Sequence, residues 1–274
     1  MSLQRIAVLV TAHNRKLKTL NCLSCLFECQ LPIGFEINVF LVDDGSSDST
    51  ATAVLQNFPN VNIIHGNGQL FWNRGMHLAW ETAAKQDFDF YLWLNDDTFL
   101  YDFAVSLMLK TSLENNHQSI VCGAVCAEDQ SFSYGLHTMK GEPILPGSAD
   151  LKGQLMNGNC VLIPKAVFEK NGNLDSRFPH AIGDFDYGLR AIRKGISIFT
   201  TTAFLGECSK NASLPKWCYN TIPLLQRLKA LYSPLGNAHP IYFFIYEKRH
   251  FGFILAIKHF LSIHLRVMFP SLWK

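Results

Sequence analysis

An apolar run that ends in two adjacent carboxylates constrains this chain more than any other stretch. Tyr91-Leu92-Trp93-Leu94 leads directly into Asn95-Asp96-Asp97-Thr98. The run is aromatic and aliphatic without polar alternation, so it reads as a strand buried on both faces. Asp96 and Asp97 then stand at its C-terminal tip, where open α/β sheets bind their ligands. Neighbouring carboxylates repel unless a cation lies between them. Hard oxygen donors on a loop suit Mg²⁺ or Mn²⁺, ions that commonly bring a phosphate. The competing reading is a turn or a helix cap, for which Asn-Asp-Asp-Thr is equally good chemistry.

The preceding residues repeat the pattern of strand, polar tip and helix. A strand over 5–10 ends in Thr11-Ala12-His13-Asn14-Arg15, and helical periodicity follows over 17–29. A second strand, 36–42, ends in Asp43-Asp44-Gly45-Ser46 and is followed by a helix over 52–58. A short strand, 61–65, precedes Gly66-Asn67-Gly68 and a helix over 71–84 that carries Arg74. This alternation predicts an α/β fold with a mostly parallel, Rossmann-like sheet flanked by helices. Its polar tips would converge on one crevice. Further on, the pattern predicts a helix over 101–115 and strands over 119–125, 159–164 and 196–200. The weakly patterned stretch 126–155 reads as a lobe beside the site rather than a linker. A helix begins near Asp184-Phe185-Asp186, acidic at its start and basic at its end, as the helix dipole favours. The division expected is one domain over 1–205, with a nucleotide-binding half (1–100) and an acceptor half (101–205), followed by a helical extension over 206–274.

The bulk numbers exclude several classes. The net charge of +2 gives no case for nucleic acid. Eight cysteines in 274 residues, three of them on one predicted helix, read as buried thiols of a reducing compartment. The start shows no signal peptide and no apolar run is long enough to span a bilayer, so a cytoplasmic protein is expected. Asn211-Ala212-Ser213 is a glycosylation sequon without meaning in that setting. Residues 240–273 are apolar and aromatic but interrupted by cations. At about 100° per residue, Lys248, His259, Ser262 and Arg266 fall on one side and Phe253, Ile257, Leu261 and Met268 on the other. Such a helix either lies on an anionic membrane or packs on the domain through its apolar side.

Four polar sites need one explanation: residues 11–15, Asp43-Asp44, Asp96-Asp97, and Asp184 with Asp186. A nucleoside-diphosphate-sugar site would use all of them. One carboxylate accepts from a pyrimidine N–H, another holds a divalent ion on the diphosphate, and a third takes the proton of an acceptor hydroxyl. Val10-Thr-Ala-His-Asn-Arg15, Val42-Asp-Asp-Gly-Ser-Ser47, Leu94-Asn-Asp-Asp97 and Ile182-Gly-Asp-Phe-Asp186 resemble the ordered motifs of family 2 glycosyltransferases with the GT-A fold. The resemblance covers roughly residues 5–205. It implies an inverting, metal-dependent transfer from a nucleoside-diphosphate sugar to a glycan or glycolipid hydroxyl.

Carried over by position, the resemblance implies that Thr11 and His13 line the nucleoside and Asp44 contacts the base. Ala12, Asn14, Arg15 and Asp43 belong to the same donor side. Asp96 would lie near the ribose and diphosphate, Asp97 would bind Mn²⁺ or Mg²⁺, and Asp184 would be the catalytic base. Asn67 and Arg74 fall in the stretch that lines base and diphosphate. His13 stands where tyrosine is common, and Gly183 precedes Asp184 where many members carry glutamate. Asp186 is the rival base, and two positions along a helix point about 200° apart, so only one can face the sugar. Asp44 suits the N3–H of uracil or thymine better than guanine, so UDP or dTDP is expected ahead of GDP. The Gln-x-x-Arg-Trp motif of processive members is absent, which favours one sugar per event.

Other readings fail on residues. Gly66-Asn-Gly68-Gln-Leu-Phe71 lacks the third glycine of a dinucleotide fingerprint. Asn95 stands where an aspartyl-phosphate enzyme needs its nucleophile, and Asp44 to Asp48 lacks the terminal glutamate of a calcium loop. A catalytically inactive carbohydrate- or nucleotide-binding scaffold of the same fold is the non-enzyme alternative.

Overall fold

The computed structural model describes residues 3–148, 151–210, 214–236 and 238–272. The sequon at 211–213 lies outside them. The first half runs β1 (Gln4–Ala12), α1 (Lys16–Glu28), β2 (Phe35–Asp43), α2 (Thr50–Asn57), β3 (Asn62–His65), α3 (Phe71–Ala83), β4 (Phe90–Leu94), β5 (Phe99–Leu100) and α4 (Ala104–Glu114). It continues with β6 (Ile120–Cys122), β7 (Val125–Cys126), β8 (Phe132–Tyr134), β9 (Leu136–His137), β10 (Lys152–Gly153), β11 (Leu155–Met156) and β12 (Cys160–Pro164). Then come α5 (Lys165–Asn171), α6 (Gly183–Arg193), β13 (Ile198–Thr200) and β14 (Gly206–Glu207), followed by α7 (Leu224–Leu231), α8 (Pro240–His250) and α9 (Phe253–Met268).

Why the central runs do not alternate is visible in β1. Ile6, Val8 and Val10 enter one core with Leu23 and Leu26 of α1 and Met108 of α4. Ala7 and Leu9 enter a second core with Met76 and Trp80 of α3 and Tyr187 of α6. In β4, Leu92 and Leu94 join the first core, and Tyr91 and Trp93 join the second. Both faces of the sheet are covered, so both sets of alternating positions must be apolar. Trp93 packs 5.5 Å from the Trp80 ring and 5.1 Å from Tyr187. Such aromatic pairs contribute about 0.5–1.5 kcal/mol each beyond area burial, and they fix the strand just before its acidic tip.

The eight-stranded sheet has the order β10-β13-β6-β12-β4-β1-β2-β3. It is mostly parallel, with β10 and β12 reversed. The reversal of β12 matters for function. It pairs Cys160 with Leu94, so the residues leading into β12 lie beside the tip of β4, and Asn95 N–H donates to Asn159 O at 2.9 Å.

Two expectations need correction. The strand predicted over 119–125 is two short strands in different sheets, because the chain turns at Gly123. A Cβ there would meet Leu205 Cδ1 at 2.5 Å and Cys160 O at 3.2 Å, so a larger residue would have to displace the Leu205 side chain. The C-terminal helix predicted from 240 onward is two helices, broken at Phe251-Gly252, where Gly252 has φ +102°. Lys248 therefore does not share a wheel with His259 and Arg266. All eight cysteines are unpaired thiols, six of them buried.

Candidate active site

The C-terminal ends of β1, β2 and β4 and the first turn of α6 line one cavity of about 950 Å³. Thr11, Ala12, His13, Arg15, Asp44, Asp96, Asp97 and Asp184 all face it. The parallel strands deliver their tips to the same edge, and β12 brings Asn157, Gly158 and Asn159 to that edge from the opposite direction. The other four predicted residues shape the surrounding loops. Asn14 Oδ1 accepts from Ser47 N–H at 2.7 Å, and Asp43 Oδ1 from Ser46 N–H at 3.1 Å. Asn67 Oδ1 accepts from Gln69 N–H, and Arg74 donates to Ser176 O at 2.9 Å.

A cation does lie between the paired carboxylates, and it is Arg15. Its Nη1 is 3.0 Å from Asp96 Oδ1 and 2.7 Å from Asp97 Oδ2. Asp96 also accepts from Thr19 Oγ1 and is buried. Burial pushes its carboxyl up to about 6, against the pull of Arg15. Asp97 is more open, with 22% of its side chain exposed. No cluster of three or more His, Cys, Asp or Glu able to hold a metal exists among the described residues. Of the two carboxylates only the part-exposed Asp97 is open to an ion, which would have to take its remaining ligands from phosphate and water.

Asp44 organises the neighbouring loop. Its Oδ1 accepts from Gly68 N–H at 2.8 Å, and its Oδ2 accepts from Leu70 and Phe71 N–H at 2.9 Å each. The carboxylate thus caps the start of α3 from another strand, a favourable place for negative charge. His13 Nδ1 lies 2.6 Å from Asp44 O. A carbonyl only accepts, so the ring proton is on Nδ1 and Nε2 is the acceptor for Asn14 Nδ2 at 3.1 Å.

The two acidic residues of α6 have separate fates. Asp184 faces the cavity, its Oδ2 accepting from Gly158 N–H at 3.0 Å and its Oδ1 from Phe185 N–H at 2.9 Å. Burial raises its carboxyl to about 6 although these N–H groups oppose the rise. Asp186 is wholly buried on the other side. It accepts from Arg190 Nε at 2.9 Å, Arg249 Nη1 at 2.5 Å and His250 Nε2 at 2.8 Å. Burial alone would raise its carboxyl, but His250, Arg190 and Arg249 hold it below the usual range. Asp186 is committed to an ion-pair network, and Asp184 remains as the carboxylate presented to a ligand.

The start of α6 is held tightly. Ile182 has φ +77°, a strained value for a β-branched residue. Buried Asn73 of α3 fixes the loop before it, donating from Nδ2 to Asp175 O at 2.8 Å and Phe178 O at 2.6 Å. A Cβ at position 183 would lie 1.8 Å from Asn73 Oδ1. This close approach is a physical reason for glycine at 183, where many members of the resembled family carry glutamate.

Several cavity residues were missed. Trp72 donates from Nε1 to Asn95 Oδ1 at 2.6 Å, and its ring lies where a Cβ on Gly158 would be 2.4 Å away. His180 lines the cavity, and burial with the nearby Arg15 lowers its pKa, leaving an uncharged acceptor. Phe243 and Tyr246 of α8 also reach it. In sequence, Trp72 is indistinguishable from a core aromatic. The residues of α8 are separated from the motifs by long-range folding that no local spacing records.

Residues 7–172 match glycosyl transferase family 2. Similar folds are found in solved structures of S. aureus TarS, all at low identity. TarS 1–349 in complex with UDP-GlcNAc superposes with a TM-score of 0.58 at 14% identity, over 95% of this chain and 81% of that one. The UDP complex gives 0.57 at 14% identity, over 91% and 72%. A further TarS crystal structure gives 0.55 at 14% identity and is covered over only 44% of its length, so this chain spans less than half of that protein. No curated protein matches by sequence. The likeness to TarS carries the fold, and the family match covers more than half of the chain: the chain belongs to glycosyl transferase family 2 and has the GT-A fold.

Proposed function

We propose that the protein moves one sugar, with inversion, from a nucleoside-diphosphate sugar to a hydroxyl on a glycan or glycolipid acceptor. The observation that carries this reading is the division of labour on α6. Asp184 faces the cavity that also holds Arg15, Asp96 and Asp97, while Asp186 is turned away and neutralised. The TarS structures that share the fold hold UDP and UDP-GlcNAc, which supports a uracil nucleotide as donor. Asp44 Oδ1 takes one backbone N–H and keeps a second lone pair for a pyrimidine N3–H.

Asp184 accepts the proton of the incoming hydroxyl as its oxygen forms a bond to the anomeric carbon and the bond to the diphosphate breaks. Displacement from the opposite face inverts that carbon. Two backbone N–H bonds fix the carboxylate in place, and its raised pKa of about 6 makes it a stronger base than an exposed aspartate. Arg15, anchored by two carboxylates, supplies a fixed positive charge beside the donor diphosphate. Mn²⁺ or Mg²⁺ held by Asp97 would add neutralisation of the leaving diphosphate. Tyr134, Phe185, Phe243 and Tyr246 line the same cavity and offer apolar surface to an acceptor.

Replacing Asp184 with Asn keeps the side-chain volume and removes the base, at the cost of one of the two backbone N–H bonds it accepts. Transfer should fall by roughly 10²–10⁴-fold, with nucleotide affinity unchanged in titration. An Asp184→Asn protein that transfers sugar at the wild-type rate would show that the base lies elsewhere.

A further inference from the structure

We propose that α9 docks the protein on an anionic membrane surface. The helix is apolar on two opposite sides. Ala256, Ile263 and Val267 are buried, Ile263 and Val267 packing with Trp217 and Leu231. On the other side Ile254, Ile257, Leu261, Leu265 and Met268 are exposed, Ile254 by 85% and Leu261 by 57%. These five positions fall within about 80° at 100° per residue, so they form one stripe. Phe269 and Leu272 just beyond the helix are exposed as well. The side expected to pack on the domain is thus the side left uncovered. A helix apolar on two opposite sides has one side covered by the domain and needs a second apolar partner for the other.

The charge of this segment identifies the partner. From Cys208 to Lys274 the sequence carries nine Lys or Arg and a single acidic residue, Glu247. Glu247 is buried against His259, so it offsets little of the exposed charge. Residues 1–207 have the opposite balance, 15 Lys or Arg against 21 Asp or Glu. Lys258 borders the stripe, and Lys248 and Lys229 are exposed on the adjoining helices. An exposed apolar stripe bordered by Lys258, on a segment rich in cations, matches the interface of an anionic bilayer. A symmetric pair of copies would bring cations onto cations. Among the described residues no helix is long and apolar enough to cross a membrane, so α9 would lie in the interface. Because α8 lends Phe243 and Tyr246 to the cavity, docking would bring the cavity to a lipid-linked acceptor. That last step rests on the transfer reading; the docking itself does not.

The test is flotation of the full chain with phosphatidylcholine vesicles, with and without about 30% phosphatidylglycerol. Wild type should float with the anionic vesicles, stay behind with the neutral ones, and lose binding at high salt. The double variant Leu261→Gln, Leu265→Gln, at exposed positions and checked for its fold by circular dichroism, should float at least about tenfold less. Wild type that fails to float with anionic vesicles, or a variant that floats equally well, overturns the proposal. A dimer in light scattering that the double variant dissolves, without flotation of the wild type, gives the stripe to a second copy and overturns it too.

Discussion

Two carboxylates two positions apart on α6 receive opposite treatments. Asp184 is desolvated without a cation, and its folded pKa rises to about 6. Asp186 is desolvated among two arginines and a histidine, and its pKa falls. The signs have separate consequences. A carboxyl raised above the unfolded value of about 3.9 binds protons more readily when folded. Asp184 and Asp96 therefore lose stabilising influence as pH rises through the window from about 4 to about 6. Asp186 and Asp175, both lowered, contribute stability above the unfolded pKa and lose it as pH falls through their folded values. As the proposed base, Asp184 would have to be ionised to take the acceptor's proton. The pH profile of kcat/KM should therefore show an acid limb centred at about 6. A profile with its acid limb near 4, the value of an exposed aspartate, would contradict the assignment.

Among the elements, two helices distant in sequence, α3 and α8, hold the loop and first turn of α6 that carry Asp184, the proposed base. α3 grips the loop before α6 through Asn73, Arg74 and His77, which bond Asp175 O, Ser176 O and Leu174 O. α8 closes the arrangement with Arg249, whose guanidinium bridges Asp186 at 2.5 Å and Asp175 at 2.6 Å. Removing one partner of a buried ion pair is costly because it strands the other charge. Arg249→Met should lower stability in urea denaturation by roughly 3 kcal/mol and slow transfer, since the loop that orients Asp184 loosens. A change under about 0.5 kcal/mol would mean that Arg190 and His250 suffice. Much of the first half was legible in the sequence because its signals are local: apolar runs, polar and acidic strand tips, and helical periodicity between them. The choice between Asp184 and Asp186 was not legible, because Arg249 and His250 arrive from more than sixty residues away. The break at Gly252 was hidden for a related reason. The apolar residues on both sides of it continue the helical period, and only packing of α8 against α9 reveals the turn. Arg15 was expected on the donor side, but not as the cation joining Asp96 to Asp97, since a sequence does not say which distant charge will fill a gap.

At the largest scale, an acidic part, residues 1–207, joins a basic, apolar C-terminal segment, and one cavity takes its walls from both. Thr11, Asp44 and Asp97 line it from the strand tips, and Phe243 and Tyr246 from α8. In the proposed function this cavity holds a nucleoside diphosphate, with Asp97 as its contact to a divalent ion. Calorimetric titration of UDP, dTDP and GDP, with and without Mn²⁺, tests it most directly on wild type and on Asp97→Ala. UDP or dTDP should bind wild type more tightly when Mn²⁺ is present, GDP should bind less well, and the gain from Mn²⁺ should disappear in Asp97→Ala. If none of the three nucleotides binds the folded wild-type protein, the donor site is wrong, and Asp96 and Asp97 are only the anchors of Arg15.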